Sequence, residues 1–266
     1  MPSPRRRRRS DPPVAGIVIG VVLFLVVAGA VWFWFQRDAP VEVDPDAPAA
    51  EAPPEPEVDP MEEPEVPLLD LPELGASDEF VRSMVARLSE HPQLAAWLVN
   101  DELVRRFVGV IVDLSGASNP ASHVRFMTPD EDFRAREIDG RLVIDPDSYR
   151  RYDLLAATFA SLDTQGTVQL YRQMRPLINE AYSDLGIPDH TFDELLAMAI
   201  RNLLAIEVPT SPPEVELVEG IYEYRDSALE NRPGAAKALM RMGPDNTRRI
   251  QEQVRALARE LGVEPN

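Results

Sequence analysis

The stretch Asp101-Glu102-Leu103-Val104-Arg105-Arg106-Phe107-Val108-Gly109-Val110-Ile111-Val112-Asp113-Leu114 decides the fold. Apolar side chains surround it on nearly every side, so it is a central buried helix or a buried strand. Asn100 can cap it, and acids occupy its first turn, where a helix exposes unpaired N–H groups with partial positive charge. These signals favour the helix. It is too short for a membrane span, which takes about 20 residues.

Helix signals continue on both sides. Upstream, Ser77 is placed to cap a helix whose stripe is Phe80, Val81, Met84, Val85 and Leu88. Pro92 opens a shorter helix through Leu94, Trp97 and Leu98. Downstream, residues 115–132 read as loop. Phe133–Ile138 and Arg141–Ile144 then flank Asp139-Gly140, a two-residue hairpin signal. Asp145 caps a helix with Pro146 at its first position, carrying Tyr149, Tyr152, Leu155, Ala156, Phe159 and Leu162 on one stripe. A longer helix follows from Asp163 to Leu185, kinked at Pro176 and stopped by Gly186. Thr191-Phe192-Asp193-Glu194 is a capping box ahead of Leu195, Leu196, Ala199, Leu203 and Leu204. Residues 214–224 suggest a short strand pair, and two helices finish the chain around Met240 and Val254. The expected class is mainly α with a minor β-hairpin.

The chain before residue 68 has a different character. Val14 to Phe35 is a run of 22 uncharged residues. As a helix it covers roughly 33 Å, the thickness of a bilayer core. The small residues Ala28-Gly29-Ala30 could end a cleavable signal, but Val31-Trp32-Phe33-Trp34-Phe35 extends the apolar run to an aromatic edge. An uncleaved transmembrane anchor is expected. Arg5, Arg6, Arg7, Arg8 and Arg9 precede it, whereas Arg37 is the last base until Arg82. Positive charge stays on the cytoplasmic side, so the N-terminus is expected inside and the rest outside. Gly16 and Gly20 form a GxxxG pattern that would let two such helices pair as a homodimer.

Residues 38–67 hold nine Pro and eleven acids with no Lys or Arg. Too little apolar surface is present there to offset the entropy of ordering, so a disordered, extended tether is expected. Four parts result: an Arg-rich cytoplasmic head (1–13), a transmembrane helix (14–35), an acidic Pro-rich tether (36–67) and a folded, mainly helical domain (68–266).

Net charge is −18, and residues 68–266 alone carry 21 basic against 33 acidic side chains. Such a surface repels nucleic acid. The chain has no Cys, which removes disulfides, thiolate metal sites and Cys nucleophiles together. His91, His123 and His190 are scattered without ligand spacing, so no metal or other cofactor is expected. Neither a GxSxG elbow nor a phosphate-binding glycine loop is present.

Several blocks form a recognisable set: Leu71-Pro72 to Asp78, Leu98 to Phe107, Ile144-Asp145-Pro146 to Tyr152-Asp153, Leu170-Tyr171 to Pro176-Leu177, Ala181-Tyr182 to Asp189, and Lys237 to Asn246. Their order and spacing resemble the uncharacterised proteobacterial family known as domain of unknown function 3014. The likeness runs over roughly residues 68–262 and departs across Glu207 to Pro233. It implies a membrane-anchored envelope protein with its folded domain in the periplasm. It implies no activity.

Two polar segments invite a site. Asp145 to Asp153 is dense in hydrogen-bonding groups, although cap, proline and acid also begin a helix. Lys237 to Asn246 passes from a helix ending at Gly243 to one beginning at Pro244, which a tight helix–helix corner explains. Those structural roles leave Tyr149, Tyr152, Asp153, Arg241 and Asn246 as candidate binding residues. Asp153 is the expected ion-pair partner of Arg241. No catalytic residue is assigned. The expected function is a membrane-anchored periplasmic interaction or scaffold module with an envelope protein as partner. The alternative is a carboxylate-based envelope hydrolase, since such carboxylate pairs are set by fold rather than local spacing.

Overall fold

The computed structural model describes residues 70–187 and 189–264. The head, the expected membrane helix with Gly16 and Gly20, and the tether lie outside the described residues. Among those described, no helix is long and apolar enough to cross a membrane.

The opening stretch is a helix. In chain order the α-helices begin with α1 (Asp78–Val85), α2 (Pro92–Trp97) and α3 (Leu103–Ser115). Strands β1 (Ala135–Ile138) and β2 (Arg141–Ile144) follow, then α4 (Asp153–Ala160), α5 (Thr164–Ser183) and α6 (Phe192–Leu204). Strands β3 (Val215–Val218) and β4 (Ile221–Tyr224) precede α7 (Ser227–Glu230), α8 (Gly234–Met242) and α9 (Pro244–Leu261). The mainly helical class holds, and the strand pairs expected around Asp139-Gly140 and at 214–224 both form, so the minor β content is two hairpins.

Helix α3 lies at the centre and packs against α6, α5 and α1, while α9 packs against α4, α5, α6 and α8. Val110, Ile111 and Leu114 of α3 are fully buried in the main core. The start of α3 differs from the expectation. Asn100 turns back to donate to the Trp97 carbonyl, and the helix begins only at Leu103, after Glu102 adopts φ 59°. Its cap comes from α1 instead: the Asp78 carboxylate accepts from the Glu102 N–H at 2.7 Å and the Leu103 N–H at 2.9 Å. A carboxylate accepting two N–H groups at a positive helix end does the work of a local cap. Asp78→Ala is therefore expected to lower stability by about 1–2 kcal/mol, and the Leu103 amide should lose protection in hydrogen exchange. Unchanged exchange at Leu103 would refute the remote cap.

Other expected local devices are present. Thr191 and Glu194 form the reciprocal capping box of α6. Its Thr191 N–H and hydroxyl hold the Glu194 carboxyl below its ordinary range. Pro176 sits inside α5, which is helical from Thr164 to Ser183. The helix expected from Pro146 divides: Pro146–Tyr152 winds as 3-10, and α-helical geometry starts at Asp153.

Each hairpin pairs four residues with four in antiparallel register, Ala135 with Ile144 and Val215 with Tyr224 at the open ends. Both turns are an acid followed by glycine with positive φ at the two positions, Asp139-Gly140 and Glu219-Gly220. Such turns match the twist of the strands they join. The hairpins meet through Val143 and Glu214, and the Ile144 N–H donates to the Pro213 carbonyl. Beneath them lies a second, smaller core of Phe133, Ile144, Val215, Tyr224 and Met240. Helix α8 separates the two cores. Its Met240 joins the hairpin core, whereas Ala235, Ala238, Leu239 and Met242 join the main one.

Candidate functional site

The two polar segments meet. Asn246, only 2% exposed, donates through Nδ2 to the Tyr149 carbonyl (3.0 Å), to Asp153 Oδ1 (3.0 Å) and to the Met242 carbonyl (3.2 Å). Three acceptors around one amide nitrogen fix which end of the side chain faces them. Gly243 makes the approach possible. At φ 82° and ψ 166° it occupies a region open in practice only to glycine, and a Cβ there would stand 2.5 Å from Tyr149 Cγ.

Around this junction lies a cleft of about 410 Å³, lined among others by Tyr149, Asp153, Asn246 and Arg249, with Pro209 and Pro212 on its far wall. Two further carboxylates on its lining are engaged within their own turns: Asp147 with Arg150 at 3.1 Å and Asp245 with Arg248 at 3.0 Å. Burial pushes the Tyr149 hydroxyl up to about 12. At neutral pH it is therefore a donor and not a base.

The other two candidates point elsewhere. Tyr152 is fully buried in the main core, with the Arg151 guanidinium 5.2 Å from its ring centre. Arg241 does not pair with Asp153, which is exposed on its helix. Instead Arg241 enters the hairpin core, 7% exposed, and donates through Nη2 to the Tyr222 carbonyl. Its guanidinium lies 5.3 Å from the Phe133 ring centre and 5.7 Å from that of Tyr224. The reason is the position of α8 between two cores: Met240 belongs to the hairpin core with Arg241 beside it, whereas Leu239 and Met242 belong to the main core. The nearest charged neighbours on its own side are Lys237 and Glu230, joined at 2.7 Å. Burial would raise the Glu230 carboxyl. The Lys237 ammonium and the Tyr224 N–H outweigh it, with the Lys237 and Arg241 charges adding, and hold that carboxyl below its ordinary range.

Sequence reasoning passed over a second and larger cleft of about 690 Å³ between the hairpins and the segment 209–213. Ile138, Val143, Pro209, Pro212, Pro213 and Leu229 supply its apolar lining. Its charged rim balances: Glu214 takes both Arg141 at 3.0 Å and Arg225 at 3.5 Å, and Asp226 supplies the second negative charge. The signal in the sequence is Pro209 with Pro212-Pro213, a run that cannot donate ladder hydrogen bonds and so stays outside the sheet.

Also missed was a polar staple in the helical layer, where Asp193 accepts from the Tyr171 hydroxyl and from Arg175 Nη2, the latter at 2.5 Å. Burial, then the adjacent Asp193 charge, drives the Tyr171 hydroxyl well above the usual phenol range. The three histidines serve separate places: His91 accepts from the Gln93 N–H, His123 lies 3.3 Å from Asp113, and His190 lies 3.8 Å from Glu194. Among the described residues, no three His, Asp or Glu side chains converge as metal ligands.

No curated protein and no solved structure matches the chain. A family model does, over residues 103–258, which is more than half the chain and includes α3, both hairpins and the junction of Asn246 with Asp153. Its description is "Protein of unknown function (DUF3014)", and the chain belongs to that family.

Proposed function

We propose that the chain is an envelope interaction module, held at the inner membrane by residues 14–35, with its folded domain binding a protein partner in the periplasm. The observation that carries the binding reading is the larger cleft: an apolar floor with a rim whose charges neutralise one another. A surface of that kind gains from covering apolar area without stranding an unpaired charge. Ile138, Leu217 and Val218, all exposed, extend the apolar surface along the hairpins. The membrane position rests on the apolar run and the arginine block before it. Pairing of two copies through Gly16 and Gly20 belongs to the same proposal.

The hydrolase reading has less support. A general acid needs a carboxyl raised toward neutrality, whereas the displaced carboxyls, Glu194 and Glu230, are both lowered. In the smaller cleft, Asp147 and Asp245 are tied to arginines and Asp153 to Asn246.

The test is a photo-crosslinking side chain placed at Ile138 in the full chain and irradiated in cells, with Leu185 as an exposed apolar control away from the cleft. A discrete adduct with an envelope protein from Ile138, weakened by Pro212→Glu, is expected. Equal adducts from both positions, or none from Ile138, would reject the cleft as the binding surface.

A further inference from the structure

The hairpins meet through β2 and the start of β3, so β1 and β4 are the outer edges, and the two edges differ. Pairing alternates along an antiparallel ladder, which turns the backbone groups of Tyr222 and Tyr224 away from β3. Side chains close that edge: Arg241 donates to the Tyr222 carbonyl, and the Tyr224 N–H donates to Glu230 at 2.9 Å. On β1 the outward residues are Ala135 and Glu137, because the Asp145 N–H donates to the Arg134 carbonyl and sets the alternation. Among the described residues, no strand or side chain pairs with the outward backbone groups of these two. Arg134 and Arg136, both exposed and in no ion pair among the described residues, share the outer face of the same edge. An edge so short and so basic turns away a long apolar strand and suits a short acidic one.

We propose that the chain's own stretch Val41-Glu42-Val43-Asp44, which lies outside the described residues, adds to the β1 edge as a strand. One antiparallel register fits it. With Val43 opposite Ala135 and Val41 opposite Glu137, each outward N–H and C=O of β1 gains a partner. Glu42 then stands opposite Arg136 and Asp44 opposite Arg134, two pairs of opposite charge on one face. The valines fall on the other face, where Ala135 packs against the hairpin core. Pro45 has no N–H and ends the ladder after Asp44. Glu57-Val58-Asp59 repeats the motif, but the same register sets Pro56 opposite Glu137, where it cannot donate. A second copy of β1 fits worse: every twofold register that pairs Ala135 and Glu137 opposes two arginines or two copies of Glu137. Reach is not limiting, since residues 45–69 extend over roughly 75 Å against a domain roughly 40 Å across. Docked in this way, the tether would leave only residues 36–40 between the anchor and β1 and draw the hairpins toward the bilayer. That consequence rests on the membrane reading above, and the strand does not.

Amide hydrogen exchange on the full chain in detergent tests the strand directly. The Ala135 and Glu137 N–H groups have no partner within the hairpin, so docking alone slows them. About fivefold slowing is expected when the tethered strand's effective concentration is a few times its dissociation constant. Val43→Pro should return both amides to free exchange, whereas Val58→Pro should leave them slow. The Arg136 and Ile138 amides, which face β2, should not respond to either change. Arg134→Glu with Arg136→Glu should also abolish the protection, and adding Glu42→Arg with Asp44→Arg should restore it. Free exchange at Ala135 and Glu137 in the native chain would overturn the strand, as would protection that survives Val43→Pro. Protection that rises with protein concentration would overturn it too, by assigning the edge to a second copy.

Discussion

Gly243→Ala is expected to cost about 3–5 kcal/mol. Two penalties combine. The backbone at φ 82° and ψ 166° lies where a side chain is strained by about 1–3 kcal/mol. The new Cβ would also meet the Tyr149 ring at 2.5 Å, and the ring cannot simply withdraw, since it packs against the hairpin core. Pushing it aside shifts the 3-10 turn whose Tyr149 carbonyl receives the Asn246 amide. Denaturant unfolding of the full chain measures the loss. A companion change, Gly140→Ala, meets nothing within 4 Å and should cost much less. Equal losses at the two glycines would mean that backbone strain alone matters and that the Tyr149 contact is unimportant.

Arg241→Ala should lose about 3 kcal/mol, from the stranded Tyr222 carbonyl, the lost cation–π contacts and the cavity left by the stem. The stronger test is of partnership. Because Arg241 enters the hairpin core while Asp153 is exposed and accepts from Asn246, the double change Arg241→Ala with Asp153→Ala should equal the sum of the two single changes within about 0.5 kcal/mol. A coupling above 1 kcal/mol would restore the ion pair that the sequence suggested. Arg241→Lys should recover little, since an ammonium cannot stack flat on Phe133 and Tyr224 while reaching the Tyr222 carbonyl.

These two residues mark where sequence reasoning succeeds and where it stops. Devices confined to a few consecutive residues were legible. The Asp139-Gly140 turn, the Thr191–Glu194 capping box and the Gly243-Pro244 corner each follow from local backbone chemistry. The meeting of the two polar segments was legible only in part: Asp153 was expected to reach Arg241, and its partner is Asn246. Contacts made across the fold were not legible. Asp78 caps a helix 25 residues onward, and nothing near Asn100 announces it. The direction of Arg241 depends on there being two cores, and the second core depends on both hairpins lying over α8. The seven 3-10 residues before Asp153 also break the single helical stripe, so Tyr149 and Tyr152 enter different cores.

Helix α8 has further meaning as a partition. From Ala238 to Met242 none of its side chains is free to face water. A wall with furniture fixed to both sides cannot be moved for the convenience of one room. A ligand or partner that shifts the hairpins acts first on Met240 and Arg241, which are packed against them. Leu239 and Met242, on the same turn of helix, stand in the bundle. Close-packed interiors answer such a push by stepping between arrangements rather than by yielding smoothly. The surface over the hairpins and the bundle against α9 are in that respect two ends of one lever, and α8 is its fulcrum.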